Sequence, residues 1–175
     1  KNLCKLSSSG YSDGFYYYPR IDFDLLQKHS QVLICLSGCL QGEVAFASQN
    51  SDQNTLIETI KKYKGLFRDD FYFELQRHSS SRDDIQLDGM LEETWLYQHY
   101  HEYTQKQEDL CQKLLELEKK LQIKCVATNN VHYIEREDWK AHEILLNIQS
   151  GEKCEIFRTD SQGRPIGVIS NPKRS

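Results

Sequence analysis

Lys124-Cys125-Val126-Ala127-Thr128-Asn129-Asn130-Val131-His132-Tyr133 is the stretch on which the fold turns. A long polar run with helical spacing leads into it. Its apolar residues then follow one another without alternation, the pattern of a strand buried on both faces. At Thr128 the run turns polar, and two amides, a histidine and a tyrosine follow. Side chains at the C-terminal ends of parallel strands converge on one crevice. A buried strand with a polar tip is therefore where α/β folds place ligands.

Two further runs fit the same frame. Residues 32–36 (Val-Leu-Ile-Cys-Leu) read as a buried strand that ends in Ser37-Gly38-Cys39-Leu40-Gln41-Gly42-Glu43, a glycine-bearing loop feeding a helix through Ala47. Residues 71–75 (Phe-Tyr-Phe-Glu-Leu) read as a second strand running into Gln76-Arg77-His78. Helices fill the intervals. One ends over residues 1–8, with Leu3 and Leu6 on one side. Turn chemistry at residues 9–14 and an aromatic cluster from Phe15 to Tyr18 follow. Asp22 or Asp24 caps a short helix to His29.

Residues 51–63 carry Leu56, Ile57 and Ile60 as a helical stripe, and Gly65 with Arg68-Asp69-Asp70 marks a turn. Residues 79–89 are rich in serine and aspartate and read as a surface loop open to disorder. The longest helix is predicted over 90–121, with Leu96, Tyr100, Tyr103, Leu110, Leu114, Leu117 and Leu121 recurring at steps of three, four and seven. An amphipathic helix starting at Glu137 or Asp138 carries Ala141, Ile144, Leu145 and Ile148 and stops near Gly151. Residues 153–175 read as a linker with a short hairpin around Gln162-Gly163. The order of elements implies right-handed crossovers and a largely parallel sheet. Three strands cannot close a barrel, so the partner strands are expected upstream.

Composition sets limits on function. The chain has 175 residues, does not start with methionine, and has Met90 as its only methionine, which suggests a piece of a longer protein. A hydrophobic fraction of 38% and a charged fraction of 27% describe a rather polar globular chain without a membrane-length apolar run. The net charge of −4 argues against gripping nucleic acid unaided, because phosphate binding needs a basic surface. The six cysteines form no CxxC pair, which points to a reducing cytosol without structural disulfides.

Cys39 follows a strand end between two glycines. It is either a small side chain in a tight loop or a thiolate metal ligand. His132 lies at the matching end of another strand and is either a hydrogen-bonded structural residue or a ligand. Asn130 shares its side if the chain stays extended, but its neutral carbonyl oxygen is a weak metal donor. Asn129 suits a turn. Glu74 and His78 suit either a supporting role behind such a site or a surface role. His99, His101 and His142 fall on predicted helices and suit solvent. No phosphate-binding glycine loop, nucleophile elbow or HExxH motif is present.

Several words carry more. Leu36-Ser37-Gly38-Cys39-Leu40, residues 71–78 (Phe-Tyr-Phe-Glu-Leu-Gln-Arg-His), residues 127–133 (Ala-Thr-Asn-Asn-Val-His-Tyr), residues 141–145 (Ala-His-Glu-Ile-Leu) and Ile148-Gln149-Ser150-Gly151 occur in that order. Together they resemble the N-terminal PHP (polymerase and histidinol phosphatase) domain of the alpha subunit of bacterial DNA polymerase III.

The resemblance covers nearly the whole chain and implies an α/β fold, part of a distorted seven-stranded (β/α) barrel of parallel strands with flanking helices. It implies that residues 1–152 are the C-terminal part of that domain and that 153–175 lead toward the polymerase palm. Cys39 falls on the family's cysteine ligand and His132 on its late histidine. Asn130 replaces the family's late aspartate, and the early ligands would lie before Lys1. The implied function is DNA-directed DNA synthesis by a cytoplasmic replicase, with two roles open for the domain itself. One is a structural part with a degenerate metal site. The other is an active metal-dependent phosphoesterase or 3'-5' exonuclease. The implied cofactors are Mg2+ for the full polymerase and Zn2+ or Mn2+ for an intact PHP site, with none held by this fragment. The implied partners are DNA, dNTPs, a sliding clamp and a proofreading subunit, and no membrane. The fragment alone is expected to lack activity and to self-associate.

Overall fold

The computed structural model describes residues 1–79, 82–87, 94–151 and 155–170. In chain order it contains α1 (Asn2–Ser12), α2 (Phe23–His29), β1 (Cys35–Leu36), α3 (Glu43–Asn50), α4 (Gln53–Phe67), β2 (Phe71–Leu75), α5 (Arg82–Leu87), α6 (Thr94–Leu121), β3 (Cys125–Ala127), α7 (Trp139–Ser150), β4 (Glu155–Thr159) and β5 (Pro165–Ser170). The chain divides into two compact units: residues 1–77 with 106–128, and residues 78–105 with 129–175.

The first unit holds a parallel sheet in the order β1-β2-β3. Cys35 pairs with Phe71, and Phe73 pairs with Cys125. Side chains alternate along a strand, so Cys35, Phe71, Phe73 and Cys125 share one face. Phe71 and Phe73 on it are fully buried against Leu56 and Ile60 of α4, Leu114 of α6, and Ile123. Tyr72, Glu74 and Val126 on the other face remain half-exposed. The strands are thus buried on one face, not both, and the apolar runs overstate their burial.

Local chemistry sets the helix ends. Asp22 caps α2 by accepting the Leu25 N–H at 2.8 Å, and Asp52 caps α4 by accepting the Thr55 N–H at 2.9 Å. On α4, Glu43 of α3 accepts hydrogen bonds from the Tyr63 hydroxyl and from Lys62, the latter at 3.2 Å. The Tyr63 hydroxyl, ahead of Lys62, holds the Glu43 carboxyl below its ordinary pKa of 4.5.

Several expectations are corrected. The first strand spans two residues, not five, because Val32 sits in the left-handed region (φ 64°) and the Leu33 N–H closes a turn onto Ser30 O at 3.1 Å. Helix α1 runs on to Ser12, and α4 absorbs Gly65. Part of the expected loop at 79–89 is helix α5, while residues 80, 81 and 88–93 lie outside the described set, as do 152–154 and 171–175. The long helix is described from Thr94 onward.

In the second unit, α7 ends at Gly151 in the left-handed conformation, as its glycine suggests. Yet Ile144, Leu145 and Ile148 are exposed, so among the described residues of this unit the amphipathic stripe has no core beneath it. Strands β4 and β5 pair antiparallel as a hairpin whose turn contains Gln162-Gly163.

Candidate functional site

In the first unit, the C-terminal ends of the strands are tied by a small polar network. The Ser37 N–H extends the β1–β2 ladder to Tyr72 O at 2.9 Å. The buried Ser37 hydroxyl accepts the Glu74 backbone N–H at 2.9 Å. One Glu74 carboxylate oxygen accepts the Thr128 hydroxyl at 2.5 Å and the Gln76 amide at 2.9 Å. Residues following all three strands therefore bond one another through Glu74. No side-chain periodicity announces such a network: serine and threonine are common loop residues, and only Glu74 stood out as a supporting candidate.

Cys39 lies in the turn beyond Ser37, half-buried, with its carbonyl accepting the Gly42 N–H at 2.9 Å. The turn is tight. Gly38 has φ 79°, and a Cβ on Gly42 would stand 2.6 Å from Ser37 O. Glycine at both positions is thus a steric requirement of the loop that presents Cys39. The other thiols of this sheet are packing groups. Burial pushes the Cys35 thiol up to about 11 and raises that of Cys125, so both stay protonated at neutral pH. All five cysteines among the described residues are free thiols.

In the second unit, Asn129 is the hub of the segment that carries Asn130 and His132. Its side-chain oxygen lies 2.8 Å from His78 Nε2 and accepts the Asn130 N–H at 2.9 Å. The Asn130 nitrogen also lies 3.2 Å from His78 Nε2. The tautomer with hydrogen on Nε2 satisfies both bonds to the Asn129 oxygen at once; this is an assignment from the network. Asn129 is thus more than a turn residue. The His132 ring stacks on that of His142 at 5.0 Å between centroids and 24° between planes, and Tyr133 lies 5.6 Å from His142. His142, expected to point into solvent, is half-buried in this cluster.

Asn130 and His132 thus lie together in the second unit, both exposed, and Cys39 lies in the first. The three offer one thiol, one imidazole and one neutral amide. Structural zinc takes four ligands and catalytic zinc three plus water, so this donor set is too small to hold zinc unaided. Among the described residues, no group of three or more His, Cys, Asp or Glu side chains is placed to hold a metal ion.

Comparison with known proteins places this sequence in a family. The profile of the PHP domain family matches residues 1–78. The DNA polymerase III subunit alpha of Chlamydia trachomatis is 48% identical over 99% of this chain, and that of Chlamydia muridarum 46% over the same share. The subunit alpha of Aquifex aeolicus is 35% identical over 85% of it. The chain belongs to the DNA polymerase III alpha-subunit family. It spans 13% of the length of the chlamydial relatives and 11% of the Aquifex one. The strand-end words are the part of this alpha-subunit sequence that the fold gathers into hydrogen-bonded networks: Ser37 beside Cys39, Glu74 before His78, and Thr128-Asn129-Asn130. No helix among the described residues is long and apolar enough to cross a membrane.

Proposed function

We propose that this chain is a stretch of the PHP domain of the catalytic subunit of a cytoplasmic bacterial replicase, and that the domain serves mainly as structural support for DNA synthesis. The full protein would take DNA, dNTPs and Mg2+ and work with a sliding clamp and a proofreading subunit. The sheet order and flanking helices support a seven-stranded (β/α) barrel completed by other parts of the polypeptide. The fragment alone lacks activity on this reading, and its uncovered sheet edge favours self-association.

The observation that carries the structural role is Asn130. It stands where the family resemblance expects an aspartate, with its backbone N–H bonded to the Asn129 side-chain oxygen, which His78 Nε2 also approaches. An amide in place of a carboxylate removes one negative charge from a site that must hold a divalent cation. The retention of Cys39 and His132 favours the second reading, an active metal-dependent 3'-5' exonuclease or phosphoesterase that uses Zn2+ or Mn2+.

Asn130→Asp in the full-length protein separates the two. Wild type should come through dialysis without stoichiometric zinc or manganese by elemental analysis and should not degrade a 3' end. If the substitution restores metal and exonuclease activity together, Asn130 is the residue that disabled the site. Near-stoichiometric metal in wild type, lost on replacing Cys39 or His132, would establish the exonuclease reading and defeat the structural one.

A further inference from the structure

The β2–β3 ladder ends at the Thr128 N–H, which bonds Leu75 O at 3.1 Å. Beyond it, Asn129 and Asn130 lie outside helix and strand, and both are exposed. The Asn130 N–H turns to a side chain, the Oδ1 of the preceding Asn129, at 2.9 Å. That bond folds the Asn129 side chain back over its own peptide. The ring it closes contains Asn130 N and the Asn129 carbonyl carbon, Cα, Cβ and Cγ. These are, in order, the atoms of a succinimide. His78 completes the arrangement, with Nε2 2.8 Å from Asn129 Oδ1 and 3.2 Å from the Asn130 nitrogen. In the tautomer with hydrogen on Nε2, the imidazole donates to the amide oxygen. A donor there draws electrons from Cγ and holds the negative charge that develops on the oxygen as a nucleophile adds.

Other asparagines are held differently. Asn50 precedes Ser51, whose small side chain would leave room for attack by its backbone nitrogen. Yet the Ser51 N–H is committed to Ala47 O at 3.1 Å, and the Asn50 amide donates to Phe46 O at 3.0 Å. Asn54 lies in the first turn of α4, where the following Thr55 N–H bonds the Asp52 carboxylate at 2.9 Å. At both positions the next backbone nitrogen is turned to a partner other than the asparagine side chain.

We propose that Asn129 is a site of self-deamidation, assisted by His78. The reacting groups are already held together, so the step needs only a turn of the amide about Cβ–Cγ to present its carbon. The Asn130 nitrogen adds to Asn129 Cγ while His78 supports the oxygen. The N–Cγ bond forms and the Cγ–Nδ2 bond breaks. The proton from the Asn130 N–H leaves with the amide nitrogen as ammonia. Water, which reaches this exposed segment, then opens the imide at either carbonyl and leaves an aspartyl or an isoaspartyl residue at position 129. Either product carries one more negative charge beside Asn130 and His132. The isoaspartyl form also lengthens the main chain by one carbon ahead of both.

The test incubates the full-length protein at neutral pH and physiological temperature, followed by peptide mapping that resolves aspartyl from isoaspartyl products. In the folded protein Asn129 should react at least about 10-fold faster than Asn50. In urea the lead should pass to Asn50, with its small neighbour. Comparable rates at the two sites in the folded protein, or the same ratio with and without urea, would overturn the proposal. So would an aspartyl product at position 129 without any isoaspartyl, because direct hydrolysis by water needs no ring. His78→Ala should slow the reaction at Asn129 by at least about 10-fold and leave Asn50 unchanged. An unchanged rate at Asn129 in a variant that keeps the wild-type circular dichroism would overturn the proposal as well. Should that variant fold poorly, the wild-type rates with and without urea decide alone.

Discussion

The two units solve the problem of apolar residues differently. In the first, Phe71, Phe73, Leu56, Ile60 and Leu114 converge from two strands and two helices and are almost wholly buried. In the second, α7 carries as clear an apolar stripe, yet Ile144, Leu145 and Ile148 are exposed. An amphipathic pattern states which face of a helix avoids water; what covers that face is settled elsewhere. The core built on Phe71 and Phe73 has its cover within these 175 residues. The α7 face has none among the described residues of its own unit.

The largest expected effect tests that contrast directly. Phe73→Ala removes a ring with 0% exposure from the middle of the central strand. It should destabilise the first unit by about 3–5 kcal/mol, through lost burial and the cavity left behind. Ile148→Ala on α7, where the side chain is 73% exposed, should change stability by less than about 0.5 kcal/mol in this chain. Urea denaturation followed by tyrosine fluorescence and by far-UV circular dichroism measures both. A cost above about 2 kcal/mol for Ile148→Ala would mean that its face is covered after all.

A middle-sized effect is expected at the strand ends. Ser37→Ala removes the hydroxyl that accepts the Glu74 N–H and leaves that donor without its partner in a half-buried place. The cost should be about 1 kcal/mol. It should be seen locally as faster hydrogen exchange at Glu74, while the core amide of Phe73, bonded to Lys124 O at 2.9 Å, is unchanged. Equal acceleration at both would mean that Ser37 supports the whole sheet and not only its tip.

The same contrast explains what the sequence made legible. The three parallel strands and the buried positions on α4 and α6 were readable because hydrophobic spacing reports burial when the covering elements lie nearby in the chain. Leu56, Ile60, Leu110, Leu114 and Leu117 are all buried, as their spacing requires. The length of β1 was not readable, since Val32 is a good strand former and only tertiary context places it at φ 64° with 98% exposure. Helix α5 was hidden in a stretch whose serines and aspartates favour turns. At the candidate site, the family words marked Cys39, Asn130 and His132. The bonds made by Ser37, Thr128 and Asn129 depend on contacts across many residues that no local pattern encodes. The stacking of His142 on His132 is of the same kind.

The smallest expected effect lies in the second unit, at the hairpin turn, which a charged group helps to hold. The Asp160 carboxylate accepts the backbone N–H groups of Arg164 and Gln162, each at 2.9 Å, and the Arg164 side chain at 2.9 Å. The Arg164 N–H is the main cause that holds the Asp160 carboxyl below its ordinary pKa of 3.8. A carboxyl whose pKa is lower in the folded hairpin than in the open chain contributes stability only while ionised. That contribution is fully present above the open-chain value and is lost as pH falls through the lower folded value. The β4–β5 amides should therefore keep their protection from neutral pH down to about 4 and lose part of it below about 3.8, with the core amides of β2 unaffected in that window. Asp160→Asn keeps an oxygen that can accept the N–H groups but carries no charge, so its hairpin should start weaker and show no such pH step. A step of the same size in the Asn variant would place the titrating group elsewhere, on a carboxylate outside the turn.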